Sequence, residues 1–292
     1  MGFGKLAPGF MQLKKVDSPR SRRYPVLVIC CTFTLVVAGG LVTSNDAALS
    51  VPDWPLNWGR LIPSLEANIR YEFAHRALAL LVLLMTAGLA WKERTRLAWT
   101  ALATVMAQAL LGGVIVRFLD PAAAAVAHAA LAQLCFGLVV AVACDWSPPP
   151  VAGQPWRPAP LAATGALFAQ TILGAAVRHH VVGPIPHIIG AAIATIFVMW
   201  AGLGTLMSNM EDATLRRPAT ALLSLTFSQV FLGIAAFAAR AAAVGDPQPM
   251  PATVWITVAH VAVGLLAFGA AVALSMATQT RRPALLCALT SN

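Results

Sequence analysis

Long uncharged apolar runs recur along the chain, separated by short polar stretches. A helix that crosses the hydrocarbon core of a bilayer takes about 20 predominantly apolar residues. Eight runs meet that length, at roughly 25–43, 71–91, 97–117, 123–144, 160–178, 187–207, 218–240 and 253–279. They lack the alternation of barrel strands, and in lipid only helices or closed barrels satisfy the backbone. The pattern predicts an all-α polytopic membrane protein with eight transmembrane helices. The first run is long enough to be retained as a helix, so no cleaved signal peptide is expected, since that needs a short apolar stretch and a small-residue cleavage site.

An internal repeat groups the helices. Gln108-Ala-Leu-Leu-Gly112, Gln170-Thr-Ile-Leu-Gly174 and Gln229-Val-Phe-Leu-Gly233 fall in the third, fifth and seventh runs. Each leads to an arginine near the helix end (Arg117, Arg178, Arg240) and then to a histidine near the start of the next run (His128, His187, His260). The first hairpin is a degenerate copy, with Leu35 at the Gln position, Gly39 at the Gly position, no terminal arginine, and His75 on the second run. Two hairpins make a four-helix unit. The predicted architecture is therefore two pseudo-symmetric four-helix bundles, over 25–146 and 160–280, related by an axis along the membrane normal. A basic arm over 1–24, a Pro-rich linker over 147–159 and a tail over 281–292 complete the division.

Composition agrees with the membrane class. The chain is 59% hydrophobic and only 11% charged, where soluble domains carry about 25% charged residues. Lys and Arg near span ends are retained in the cytoplasm. Most of the 20 basic residues lie in the N-terminal arm, in alternate loops (Lys92, Arg94, Arg96, Arg157, Arg216, Arg217) and in the tail (Arg281, Arg282). Both termini are therefore expected in the cytoplasm of a bacterial cell, the protein in its inner membrane, and the histidines toward the outside. The net charge of +9 is spread along a membrane face, which argues against nucleic acid as a partner. The five cysteines, Cys30, Cys31, Cys135, Cys144 and Cys287, form no CxxC motif and read as small apolar fillers.

Candidate chemistry comes from the polar residues that interrupt the apolar runs. A histidine inside a transmembrane segment is costly without a partner and marks a functional site. Four at matching depth suggest two pairs of axial ligands for six-coordinate heme iron, with cofactor ligands on facing helices. Small residues opposite them leave room for a flat ligand. The arginines at the helix ends are candidate partners for heme propionates, since guanidinium binds carboxylate bidentately. His179 and His180 fall outside the repeat register and read as loop residues. Glu72 and His75 share a helix face at i, i+3, so the carboxylate can orient the histidine or act as a base. Glu-x-x-His occurs once, without the further carboxylates a di-iron bundle needs, and a zincin's His-Glu-x-x-His is absent. The long loop from about Thr43 to Arg70 contains Pro52-Asp-Trp-Pro-Leu56 and Trp58, and its prolines stiffen it into a candidate lid. A transporter is a third class, but its polar groups belong at the midplane, whereas these cluster at one end.

Together, Pro52-Asp-Trp-Pro-Leu56, Glu72-x-x-His75-Arg76, Gln-x3-Gly followed by Arg, and histidines 128, 187 and 260 resemble the heme A synthase family over almost the whole chain. The resemblance implies an oxidoreductase that converts the C8 methyl of heme O to a formyl group by successive hydroxylations, with oxygen from water, to supply heme A to terminal oxidases. It implies that His187 and His260 ligate heme b, that His75 and His128 bind substrate heme, and that Glu72 assists the oxidation. Arg76, Arg117, Arg178 and Arg240 remain the candidate propionate contacts. Expected partners are heme O, membrane lipid, heme O synthase, terminal oxidase assembly proteins and an electron acceptor of unspecified identity. The alternative is a heme b electron-transfer protein without heme O oxidation. Two departures stand out. Val51 and Asn57 occupy positions where many bacterial members carry cysteines, and the first helix ends Val42-Thr-Ser-Asn45 where members often carry Thr-Arg. A cysteine-dependent step at this loop is excluded, and helix one supplies no arginine to a propionate.

Overall fold

A computed structural model describes residues 23–57, 59–144, 158–247 and 249–279. The rest of the expected basic arm, linker and tail, together with Trp58 and Cys287, lies outside the described residues. The elements are α1 (Arg23–Ser44), α2 (Ile69–Glu93), α3 (Arg96–Arg117), α4 (Ala122–Cys144), α5 (Ala159–Arg178), α6 (Pro184–Asn209), α7 (Ala213–Ala242) and α8 (Pro251–Gln279). All eight are long and apolar enough to cross a membrane, and this is an integral membrane protein. Leu80, Leu84, Leu110, Ile196 and Phe231 are exposed on the outside of the bundle. Such a coat is far more apolar than a monomeric soluble surface allows.

Local chemistry sets the helix ends. Thr95 caps α3 by accepting from the Ala98 N–H at 3.1 Å, and Arg94, in the left-handed region with φ 52°, closes α2. Sequence pattern alone starts the seventh helix at Pro218, but α7 begins five residues earlier. Asp212 caps it by accepting from the Thr214 N–H at 2.9 Å, and Pro218 is carried inside the helix. Likewise α6 starts at Pro184 and α8 at Pro251, because proline has no N–H to lose at the first helical positions.

Each group of four helices closes on itself: α1 packs on α2 and α4, α3 on α2 and α4, α5 on α6 and α8, and α7 on α6 and α8. The halves meet through α4 against α5 and α8, and α1 against α8. Within each half the tight core lies away from the histidines. Val28, Leu89, Ala98, Ala101 and Val139 pack in the first half, and Ala163, Val198, Ala201, Leu215 and Leu222 in the second. The seam has its own cluster, with Phe136 and Val140 of α4 against Leu265, Phe268 and Val272 of α8. It is reciprocal. A Cβ on Gly137 would sit 2.7 Å from the Phe268 ring, and one on Gly269 would sit 2.8 Å from the Phe136 ring. Phe136-Gly137 follows His128 at the same interval as Phe268-Gly269 follows His260, so corresponding residues meet each other as in an isologous contact. Small residues allow such close approach where lipid offers no hydrophobic drive.

Candidate functional site

The four histidines lie on α2, α4, α6 and α8, one per hairpin, toward the end of the molecule away from the two cores. The structure brings them together in pairs. The His75 and His128 ring centres are 6.5 Å apart with planes at 68°, and those of His187 and His260 are 6.3 Å apart at 78°. Two imidazoles on opposite sides of one ion, with metal–nitrogen bonds of about 2.0 Å and ring centres about 1 Å beyond, would have centres about 6 Å apart. Among the described residues no cluster of three or more His, Cys, Asp or Glu forms, so each half offers two side-chain ligands rather than a closed metal cage.

A glycine stands against every one of these rings. A Cβ would come within 3.0 Å of His75 at Gly39, 3.3 Å of His128 at Gly112, 3.0 Å of His187 at Gly174 and 3.1 Å of His260 at Gly233. The degenerate first hairpin therefore keeps the one repeat feature that makes room for the ring. The glutamines act beside the same rings. The Gln108 amide donates to the His128 carbonyl at 2.9 Å, and the Gln170 amide donates to the His187 carbonyl at 2.8 Å while lying 3.0 Å from its Nδ1. Gln229 Nε2 lies 3.3 Å from His260 Nε2. The Nδ1 atoms of His75, His128 and His260 and the amide oxygens of Gln108, Gln170 and Gln229 are buried without a partner. Buried polar atoms are ordinarily satisfied. Two facing imidazoles with orphaned polar atoms beside them fit a group ligated through both rings, and the amide oxygens are free to accept an imidazole N–H.

Glu72 is 4% exposed at the start of α2. Its carboxylate pairs with Arg76 and accepts from the Ser50 hydroxyl at 3.2 Å. Arg76, a candidate propionate contact in the sequence, is engaged by the protein itself. One terminal nitrogen donates to the carbonyls of Asp53 and Leu56, both at 2.8 Å, and the other to the Val51 carbonyl at 3.2 Å and to Glu72. Asn57 Oδ1 is a further acceptor at 3.4 Å. One guanidinium thus ties the loop to the helix that carries Glu72 and His75. Val51 and Asn57 are buried at its base. The loop does cover the first half: Trp54 lies over Gly113 of α3, where a Cβ would be 2.9 Å from its ring. Sequence reading missed Ser50, Asn57 and Gly113. Only the adjacent glycines at 112 and 113 hinted that one faces the histidine and the other the loop.

The remaining candidates separate. Arg117 and Arg240 are exposed at the ends of α3 and α7. Arg178 reaches out of its own half to α1, donating to the Gly40 carbonyl at 2.8 Å and the Ser44 hydroxyl at 2.6 Å. His180 is exposed, whereas His179 is partly buried just beyond α5. Burial holds the His179 imidazole below its usual pKa. Asp120 opposes that shift, and Arg178 and His180 add to it. Cys30, Cys31, Cys135 and Cys144 form no disulfide among the described residues.

The chain is 28% identical over 159 residues to the heme A synthase of Roseobacter denitrificans, a match covering 48% of this chain and 42% of that protein. It is 29% identical over 139 residues to the heme A synthase of Wolbachia pipientis subsp. Culex pipiens, covering 43% and 42%. The chain thus spans about two fifths of the length of the curated relatives it matches. No family model matches it. The two relatives support the resemblance that the motifs carry.

Proposed function

We propose that this protein is a membrane oxidoreductase that converts heme O to heme A, oxidising the C8 methyl to a formyl group with oxygen from water. The observation that carries the reading is the repeated pair of facing imidazoles, each with a glycine opposite, in a chain similar to heme A synthases. The first half, 25–146, is the substrate half, where His75 and His128 hold heme O. The second half, 160–280, holds heme b between His187 and His260. When bound, heme b supplies one-electron redox chemistry, and the protein supplies ligation and orientation.

Converting a methyl to a formyl consumes one water and releases four protons and four electrons, so the reaction needs a base at the substrate and an electron acceptor in the membrane. Glu72 is the base in this reading. Its carboxylate lies one helical turn from His75 and is paired with Arg76, while the Ser50 hydroxyl donates to one oxygen. The loop held by Arg76 and weighted by Trp54 keeps bulk water from the first half. Both termini lie in the bacterial cytoplasm, which puts the site toward the outer face, and heme O synthase and oxidase assembly factors are its expected neighbours.

The test is the heme inventory of protein purified after coexpression with a heme O source, by optical spectra in both redox states and mass analysis of extracted hemes. Heme b with heme A, or with its hydroxylated intermediate, is the expected result. Heme b alone would make the protein an electron-transfer cytochrome, and no heme at all would end the histidine reading.

A further inference from the structure

Arg178 ends α5 in the second half, yet its guanidinium is bonded to the end of α1 in the first. One terminal nitrogen is used by Gly40 and Ser44. The other, Nη1, is buried without a partner. A buried guanidinium N–H left unmade is costly, and more so for a charged group than for a neutral one. No acid forms a close pair with this group among the described residues. Asp46 attracts it from a distance, and Arg240 repels it. The position therefore has an excess of positive charge and an open donor.

Gly40 and Ser44 are one turn apart on α1, and Gly39, beside Gly40, is the glycine against the His75 ring. The guanidinium is thus anchored to the helix whose Gly39 stands against the His75 ring. The end of α1, Val42-Thr-Ser-Asn45, has no cation of its own, and α5 delivers one there. Gly40 also abuts Val258 of α8, two residues before His260, at 3.8 Å from its would-be Cβ, so α1 comes close enough to the second half for the reach.

We infer that Arg178 is a binding residue for the substrate half: its free Nη1 takes a carboxylate of the tetrapyrrole held by His75 and His128, clamping substrate across the seam between the halves. This rests on the function proposed above. The clamp makes the second half part of the first half's binding site, and it assigns Arg178 to the pair that its own helix does not carry.

The test uses the full chain with His187→Ala and His260→Ala, which leaves only the first pair of ligands, titrated with iron protoporphyrin IX and with its dimethyl ester while Soret absorbance is followed. A charge-assisted hydrogen bond predicts at least roughly tenfold tighter binding of the free acid than of the ester. Arg178→Gln should abolish that preference and Arg178→Lys should restore part of it. The converse protein, with His75→Ala and His128→Ala, should show no change in preference on Arg178→Gln. Should Arg178→Gln not fold, Ser44→Ala removes the hydroxyl tether and should reduce the preference about threefold. A preference that survives Arg178→Gln, or that is lost in the converse protein instead, overturns the clamp while leaving the heme sites standing. If the protein with all four histidines binds neither porphyrin, the heme reading itself fails and the clamp with it.

Discussion

The two halves repeat one plan and differ in how they hold their histidines. In the second half both rings have a glutamine amide beside a ring nitrogen, Gln170 at His187 and Gln229 at His260, and the connecting loops are short. In the first half Gln108 reaches only the backbone of His128, and Leu35 stands where His75 would have a glutamine. That half instead carries the long loop, the Arg76 clamp and a buried carboxylate. One plan thus holds its rings through glutamine amides, and the other packs a loop and a carboxylate beside them. Under the proposed function this is the difference between a cofactor site and a substrate site: a resident group gains from fixed ligands, whereas a substrate must also leave.

The sharpest way to break this contrast is to remove a ligand from each half. His187→Ala should eliminate nearly all of the heme b that survives purification, while His75→Ala should leave it in place and abolish conversion; pyridine hemochrome content and product mass read both. Equal heme loss from the two variants would show that the halves do not divide the work. Next in size, Glu72→Gln should lower heme A formation by about 100-fold or more, the usual scale for losing a general base, with heme b content unchanged. Normal product from this variant would remove Glu72 from the chemistry.

Arg76→Ala tests the loop. It strands the buried Glu72 carboxylate and frees four loop acceptors, and breaking a buried pair in this way costs about 3 kcal/mol. Thermal unfolding in detergent should fall accordingly, and limited proteolysis should cut between 45 and 68 first. Smaller still, Gln170→Leu should weaken heme b retention about fivefold, the equivalent of about 1 kcal/mol for one hydrogen bond. Gln108→Leu should leave heme b untouched. The smallest effect concerns pH. Because burial lowers the His179 pKa, the folded state binds fewer protons there than the unfolded chain. Stability should therefore fall as pH drops below about 6.5, and His179→Gln should flatten that part of the curve.

Much of this was legible in one dimension. The eight helices followed from apolar run length, and their ends were missed only where capping chemistry overrode the apolar signal, as at Asp212 ahead of Pro218. The histidines and their glycines were legible because a Gln-x3-Gly run in an odd helix is followed, three times over, by a histidine near the start of the next helix. Arg76 was legible as a cation beside His75, but its hold on the loop was not. Its position beside His75 suggested a ligand contact, but its partners at Val51, Asp53 and Leu56 are backbone carbonyls, and any sequence would offer those. Arg178 was legible as a helix-end cation and illegible as a bridge, since its partners lie more than 130 positions away.

Hydropathy and the repeat by themselves determine an eight-helix membrane protein, with four histidines at one level and a candidate base beside the first, because helix length and face depend on spacing along the chain. The separation of the rings, the reciprocal Phe136–Gly269 and Phe268–Gly137 seam, the closure of the loop on one guanidinium and the crossing of Arg178 into the other half required the folded molecule. They depend on which surfaces of distant helices come into contact, and many sequences with the same hydropathy would fit other pairings. In lipid the choice among those pairings falls to small residues and a few polar contacts, each fixed only when the helices meet.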